Sequence, residues 1–114
     1  MKLAHVCQLL DAEVLLGTEM LDEIEVNSGF GCDLISDSLC FARPGCLLLT
    51  GLTNSQIIRI CEMIEALAIV FVRGKIPSPE VIAQAKKRGI PLLSTRLFLF
   101  EGCGKLYQAG LRSS

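Results

Sequence analysis

The chain has 114 residues and a formal net charge of −1, and 51% of its residues are hydrophobic although only 5% are aromatic. This length holds one hydrophobic core and excludes two independent domains, while the near-neutral charge, with no basic run longer than Lys86–Arg88, disfavours binding to a nucleic acid polymer. The longest apolar run, Ala66–Val72, falls far short of the roughly 20 residues that cross a bilayer. Asp11 and Glu13 interrupt the N-terminal segment, which otherwise resembles a signal peptide. We therefore expect one cytoplasmic domain without membrane association.

The first part of the chain predicts a helix, two strands and a second helix. Apolar residues recur at helical spacing over Lys2–Leu10. Glu13–Gly17 is typical of a strand, and Glu23–Phe30 alternates apolar and polar residues, as does a strand with one buried face. Asp33–Ala42 predicts a second helix with Asp33 as its N-cap. We expect the two strands to pair antiparallel at an edge of the sheet.

The second part of the chain predicts three strands that alternate with three helices. Cys46–Thr50, Leu67–Val72 and Ile90–Thr95 are apolar runs typical of strands covered on both faces. The predicted helices run from Thr53 or Asn54 to about Ala66, with Thr53 and Gln56 at capping-box spacing, from the Ser78 cap to Gly89, and from about Leu97 to Ala109. Such alternation gives right-handed crossovers and parallel strands. We therefore predict an α/β domain, with a mostly parallel sheet flanked by helices, over residues 1–110, and a disordered tail at 111–114.

Polar residues follow three of the predicted parallel strands. Because ligands bind beyond the carboxyl ends of such strands, and because the amides and cations there suit an anion, we predict an anion site at these turns. Its candidate residues are Thr50, Gly51, Thr53, Asn54, Arg73, Gly74, Lys75, Ser94 and Thr95. Each also has a purely structural explanation, since glycines serve tight turns and Thr and Asn cap helices.

Two acidic residues near the second predicted helix support a further interpretation. Asp33 and Asp37 lie one helical turn apart and, with Ser36, form a candidate ligand site for a cation. The alternative is a capped helix with an exposed acidic face, which we favour because Asp is a leading N-cap residue.

Neither the cysteines nor the motifs point to catalysis. The six cysteines have irregular spacing and no C-x-x-C pair, so we expect reduced thiols and no bound metal or cofactor, with Cys32, Cys40 and Cys46 as the alternative metal ligands. Val72–Lys75 superficially resembles a phosphate-binding loop, but Ile69 stands where that loop needs a glycine. Because the sequence contains a single histidine, a Ser or Cys nucleophile has no evident base, and we predict no catalytic residue.

Several segments together carry a family resemblance. The most telling are "LLLTGLTN" (Leu47–Asn54) and "GIPLLST" (Gly89–Thr95), and "EVLLG", "DEIEV", "DLISDSL" and "AIVFVRGK" add to them. On these segments the chain resembles the DRTGG domain family, small α/β modules similar to the N-terminal, non-catalytic domain of HPr kinase/phosphorylase. Where an Asp–Arg pair is usual in that family the chain has Thr53 and Asn54, and where Thr-Gly-Gly is usual it has Val72–Gly74.

The resemblance implies a regulatory role. In this family the module is fused to CBS domains, to pyrophosphatase or to phosphotransacetylase, and stand-alone members are found beside iron-hydrogenase genes. We therefore expect a non-enzymatic regulatory and dimerisation module, a homodimer that senses a small anionic metabolite or a nucleotide. Two alternatives remain open: an accessory protein of hydrogenase or iron–sulfur metabolism with cysteine metal ligands, and a phosphotransfer enzyme.

Overall fold

The computed structural model describes residues 1–113 and contains a five-stranded sheet between two layers of helices. The strands are β1 (Glu13–Leu16), β2 (Ser28–Gly31), β3 (Cys46–Thr50), β4 (Ala68–Phe71) and β5 (Leu92–Ser94). The helices are α1 (Leu3–Leu9), α2 (Ile35–Phe41), α3 (Ser55–Met63), α4 (Pro79–Arg88) and α5 (Leu99–Gln108), with a 3-10 turn at Thr18–Met20. None of the helices within residues 1–113 has the length and apolarity that crossing a bilayer requires.

The strand order is β1-β5-β4-β3-β2, and the four strands β2 to β5 are parallel. This confirms the predicted α/β class with a mostly parallel sheet. The two early strands lie at opposite edges, so the prediction that they pair with each other is wrong. β1 is antiparallel to β5, whereas β2 is parallel to β3 because α2 forms a crossover between them.

Both faces of the central strands are buried. The core on one face, which packs against α2, α3 and α4, includes Leu48, Ile69, Phe71 and Leu92. The core on the other face, which packs against α1 and α5, includes Leu47, Leu49, Val70 and Leu93. Because the cores on both faces of the sheet pack against β3 and β4, the carboxyl ends of these strands have fixed positions and can support a site.

The segment predicted as one strand over Glu23–Phe30 forms a strand only at its end. Residues before Ser28 instead hydrogen-bond to the N-terminus: the N–H of Val26 donates to the carbonyl of Met1 at 2.8 Å, and the N–H of Leu3 donates to that of Ile24 at 2.9 Å. The alternating pattern correctly marks Val26 as buried. The backbone of Val26 pairs with the segment before α1, not with a strand of the sheet.

Two of the predicted helix starts need correction. α2 has Leu34 at its N-cap with no side-chain cap, because the Asp33 carboxylate bonds elsewhere. α3 is capped by Asn54, whose Oδ1 accepts from the N–H of Ile57 at 3.3 Å, so the capping box that begins at Thr53 is wrong. The Ser78 cap of α4 is confirmed, since its Oγ accepts from the N–H of Val81 at 3.4 Å.

The C-terminal segment predicted as a disordered tail packs on the domain over residues 111–113. Leu111 is buried in the core beneath α1 and α5. The carbonyl of Arg112 accepts from the N–H of Gly29 at 2.8 Å, and the guanidinium of Arg112 lies 4.3 Å from the centre of the Tyr107 ring. Ser114 lies outside the described residues. An apolar side chain that completes the core explains why this short polar segment is held.

Candidate ligand site at the rim of the sheet

The loops that follow the four parallel strands meet at one edge of the sheet. We call this edge the rim; it comprises residues 32–34, 51–54, 72–78 and 95–98. Backbone hydrogen bonds join its loops: the N–H of Arg73 donates to the carbonyl of Leu97 at 2.8 Å, and the N–H of Gly74 donates to that of Thr95 at 2.8 Å. The residues that the sequence predicted for the anion site lie in these loops, except for Thr50 and Ser94, which end the strands that lead into them.

One carboxylate joins three of the rim loops. The Oδ1 of Asp33, after β2, accepts from the N–H of Gly51 at 2.6 Å and from the hydroxyl of Thr50 at 3.3 Å, both at the end of β3. Its Oδ2 lies 3.2 Å from Nη1 of Arg73, after β4. The backbone amide, the hydroxyl and the guanidinium thus converge on one oxyanion, which is a part of this chain.

Two features show how closely this cluster is built. The hydrogen bond from Gly51, together with the hydrogen bond and charge of Arg73, holds the pKa of Asp33 below its ordinary value, against a smaller opposing effect of burial. The guanidinium of Arg73 lies directly against Gly51, where any Cβ would collide with it. Arg73 also has a φ of 60°, in the left-handed region that a non-glycine residue seldom adopts. Backbone and side chain both place this arginine over the turn.

Two more buried hydroxyls, Ser94 at the end of β5 and Thr95 in the rim, hold the rim loops together. Ser94 Oγ donates to the carbonyl of Lys75 at 2.8 Å. Thr95 Oγ1 donates to the carbonyl of Leu10 at 2.8 Å and accepts from the N–H of Leu97 at 3.2 Å. Because these hydroxyls are already engaged, their role in this structure is to position the loops.

The remaining predicted site residues lie around this cluster. Thr53 is half-buried at the turn into α3, and Asn54 caps that helix. Gly74 and Lys75 are exposed in the β4–α4 loop. Asp37 lies on α2, where Cys32 Sγ is 3.9 Å from its Oδ2, so its contact differs from those of Asp33.

A cavity of about 590 Å³ opens at the other side of the rim. Three of the residues that line it were predicted: Gly74, Ser94 and Thr95. Its other lining residues are Leu10, Asp11, Glu13, Ile76, Arg96 and Leu97. The residues predicted for the anion site all end or follow strands that were predicted to be parallel. Because β1 is antiparallel to β5, its amino end meets the rim and brings the carboxylates of Asp11 and Glu13 there. The signal in the sequence that could have revealed them is a pair of acidic residues at the start of an edge strand.

The three cysteines of the alternative metal hypothesis lie apart. Cys46 begins β3, whereas Cys32 follows the end of the neighbouring β2, and the register of the two strands places them about 13 Å apart along the sheet. Cys40 is exposed on α2. Within residues 1–113, no three His, Cys, Asp or Glu side chains are grouped as metal ligands would be. This geometry gives the cysteine-ligand alternative no support.

Comparison with known proteins shows a shared fold. No protein-family model matches this chain, and no curated protein does. Among solved structures, the chain is similar to the regulatory region of the Clostridium perfringens pyrophosphatase, which contains CBS and DRTGG domains and was crystallised with the activator diadenosine tetraphosphate. The TM-score is 0.70 at 20% identity, over 95% of this chain and 46% of that one. The chain thus spans about half the length of that structure and shares the fold of the part that it covers.

Proposed function

We propose that this chain is a non-catalytic regulatory module of the DRTGG type that senses a small anionic metabolite or a nucleotide at the rim. The observation that carries the proposal is the position of the Asp33 carboxylate. An amide from Gly51 and the guanidinium of Arg73 both bind it, at 2.6 and 3.2 Å. Donors that hold a carboxylate in this way also suit a phosphate or carboxylate oxygen of a ligand.

The binding step is then an exchange of anions. A ligand oxyanion takes over the donors of Gly51 and Arg73, and the Asp33 carboxylate leaves with its loop. Lys75 and Arg96 are exposed at the same rim and add positive charge. The adjoining cavity of about 590 Å³ has the size of sites that enclose small metabolites. Because Asp33 directly precedes the N-cap of α2, its displacement moves the start of that helix. Ligand binding thereby changes the surface that α2 presents.

The chemistry of the rim and the comparison support a regulatory role rather than a catalytic one. The single histidine, His5, is exposed on α1, and the buried hydroxyls of Ser94 and Thr95 bond to backbone carbonyls. The similar pyrophosphatase structure is a regulatory region that binds a nucleotide activator. A cytoplasmic location is part of the proposal, because six cysteines suit a reducing compartment.

Calorimetric titration with ATP, AMP and inorganic phosphate tests the exchange. Asp33→Asn removes the carboxylate that competes with the ligand. We therefore expect this variant to bind whichever of the three ligands the wild type binds best about tenfold more tightly than the wild type does. Arg73→Gln removes a donor and weakens binding by a similar factor. Arg59→Gln, an exposed arginine of α3, is the matched control and keeps wild-type affinity. Equal affinities of the wild type, Asp33→Asn and Arg73→Gln would refute the exchange.

We also propose that the module works as a homodimer, as its resemblance to the DRTGG family implies. Helix α5 exposes aromatic side chains that the domain itself does not cover. Exposed apolar patches of this kind are typical of protein interaction sites.

A further inference from the structure

The cavity beside the rim, of about 590 Å³, does not have the charge of an anion site. Its charged lining residues are Asp11, Glu13 and Arg96, which give it two negative groups and one positive group. All three residues are exposed, and within residues 1–113 none of their side chains takes part in an ion pair. The net negative charge disfavours a phosphate group in this cavity. Its carboxylates accept hydrogen bonds and donate none, so they suit a neutral group that carries N–H or O–H donors.

The remaining lining of the cavity suits a planar ring. Ile76 is 58% exposed and, together with the partly buried Leu97, gives the cavity an apolar surface. The guanidinium of an arginine such as Arg96 stacks on aromatic rings. A purine base combines apolar faces with an edge that carries donors, the N6 amine of adenine or the N2 amine of guanine. An aliphatic amine, by contrast, would be repelled by Arg96 and would gain little from the apolar surface.

The register of the sheet sets the distance between this cavity and the Asp33 carboxylate. One row of paired residues crosses four strands, with Glu13 on β1, Ser94 on β5, Phe71 on β4 and Thr50 on β3. The Thr50 hydroxyl donates to the Asp33 carboxylate, which therefore lies at one end of the row. Neighbouring strands are about 4.8 Å apart, so the cavity, at β5 and β1, lies about 10–14 Å from that end. Inorganic phosphate is too short to contact both ends at once.

Gly74 lies between the two ends of this row. It directly follows Arg73, whose guanidinium bonds to the Asp33 carboxylate, and it also lines the cavity. Apart from atoms of its chain neighbours, no heavy atom lies within 4 Å of the position that a Cβ on Gly74 would occupy. The surface over Gly74 therefore has room for the middle part of a ligand that contacts both ends.

We infer that the anion sensed at the rim is a purine nucleoside monophosphate, with its phosphate on the donors of Gly51 and Arg73 and its base in the cavity. This inference rests on the proposed function and names the class of its ligand. The ribose lies over Gly74, and the donor edge of the base faces the carboxylates of Asp11 and Glu13. Because a ribose separates the phosphate from the base, such a molecule has the length that the two ends of the row require.

Calorimetric titration of the full chain with AMP, GMP, ribose 5-phosphate and inorganic phosphate tests the inference. Ribose 5-phosphate has the phosphate and the sugar but lacks the base. We therefore expect AMP or GMP to bind at least about tenfold more tightly than ribose 5-phosphate does. If ribose 5-phosphate binds as tightly as both nucleotides, the inference is overturned, while the anion exchange at Asp33 still stands.

The double variant Asp11→Asn/Glu13→Gln tests the role of the two carboxylates by the sign of its effect. We expect it to weaken the binding of AMP or GMP about tenfold, because the base loses its acceptors. Binding of inorganic phosphate is expected to stay within about twofold, because the carboxylates lie beyond about one Debye length at physiological ionic strength. Carboxylates that merely repel anions would give tighter nucleotide binding in this variant, which overturns the inference.

The controls separate failure of the inference from failure of the proposed function. Glu23→Gln, at an exposed acid outside the cavity lining, keeps wild-type affinity for all four ligands. Arg73→Gln weakens the binding of inorganic phosphate and of the nucleotides alike, whereas the double variant weakens that of the nucleotides alone. Phosphate binding that depends on Arg73 but shows no preference for a nucleotide refutes the inference and keeps the proposed function. Absence of binding by all four ligands refutes both.

Discussion

Asp33 is the residue that connects the most elements of the candidate site. Its carboxylate joins the loops after β2, β3 and β4 through Gly51, Thr50 and Arg73. Its side chain is still 41% exposed, so solvent screens the ion pair and the contribution to stability is modest. Because the carboxylate is partly exposed, its contacts with the Gly51 amide and the Arg73 guanidinium can open without unfolding the domain. The proposed exchange with a ligand requires this.

The lowered pKa of Asp33 predicts a pH-dependent effect of Asp33→Asn. A carboxyl whose pKa is lower in the folded state stabilises that state above its unfolded pKa, near 3.8, and this contribution is lost as the pH falls through the folded pKa. Asp33→Asn is therefore expected to lower the melting temperature at neutral pH and to lose this effect in acid. Thermal unfolding between neutral and acidic pH measures the difference, with the exposed Asp22→Asn as control. A difference that stays constant into acid contradicts the assignment.

At the scale of single elements, local capping determines where the helices after β3 and β4 begin. Asn54 caps α3 and Ser78 caps α4, each through a side-chain oxygen that accepts from the third following amide. Helix α4 has Pro79 at its first position and ends at Gly89, with a φ of 68°. Both caps lie in rim loops, so the bonds that start the helices also shape the candidate site.

A pair of alanine substitutions separates the true cap of α3 from its neighbour. Asn54→Ala removes the acceptor for the N–H of Ile57, and we expect it to lower the free energy of unfolding by about 1 kcal/mol. Thr53→Ala removes no cap and is expected to cost less than half of that. Urea unfolding followed by circular dichroism compares the two variants. A larger loss in Thr53→Ala than in Asn54→Ala would show that the capping box predicted from the sequence forms in solution.

At the scale of the whole molecule, the sheet topology assembles the rim. Four parallel strands bring their carboxyl ends to one edge, and the antiparallel β1 adds its amino end. Asp11, just before β1, and Glu13, its first residue, therefore reach the same cavity as Ser94 and Arg96. The edge has mixed charge for this topological reason.

The double-sided core that supports the rim can be tested at Phe71. This ring is fully buried at the end of β4, directly below the rim. Phe71→Ala is expected to cost about 3–5 kcal/mol, a large share of the stability of a domain this size. Phe41→Ala, at an exposed phenylalanine of α2, is expected to cost less than about 1 kcal/mol. Chemical denaturation measures both, and similar losses would contradict the burial of Phe71.

The sequence alone was sufficient for the elements whose signals are local. The apolar runs of β3, β4 and β5 and the Ser78 cap of α4 were correctly identified, because burial on both faces and capping leave their marks within a few residues. The alternation of these strands with helices also predicted a parallel sheet, and so the shared edge on which the predicted site residues meet.

The tertiary structure alone decided which residues meet and which partner each one takes. Asp33 looked like a helix cap but bonds to Gly51, 18 residues away, and to Arg73, 40 residues away. β2 lies at the opposite edge of the sheet from β1, and Asp11 lines the cavity beside the rim. These outcomes depend on contacts between distant segments, which compete with the local preference of each residue. Local patterns in the sequence carry no record of which distant partner succeeds in that competition.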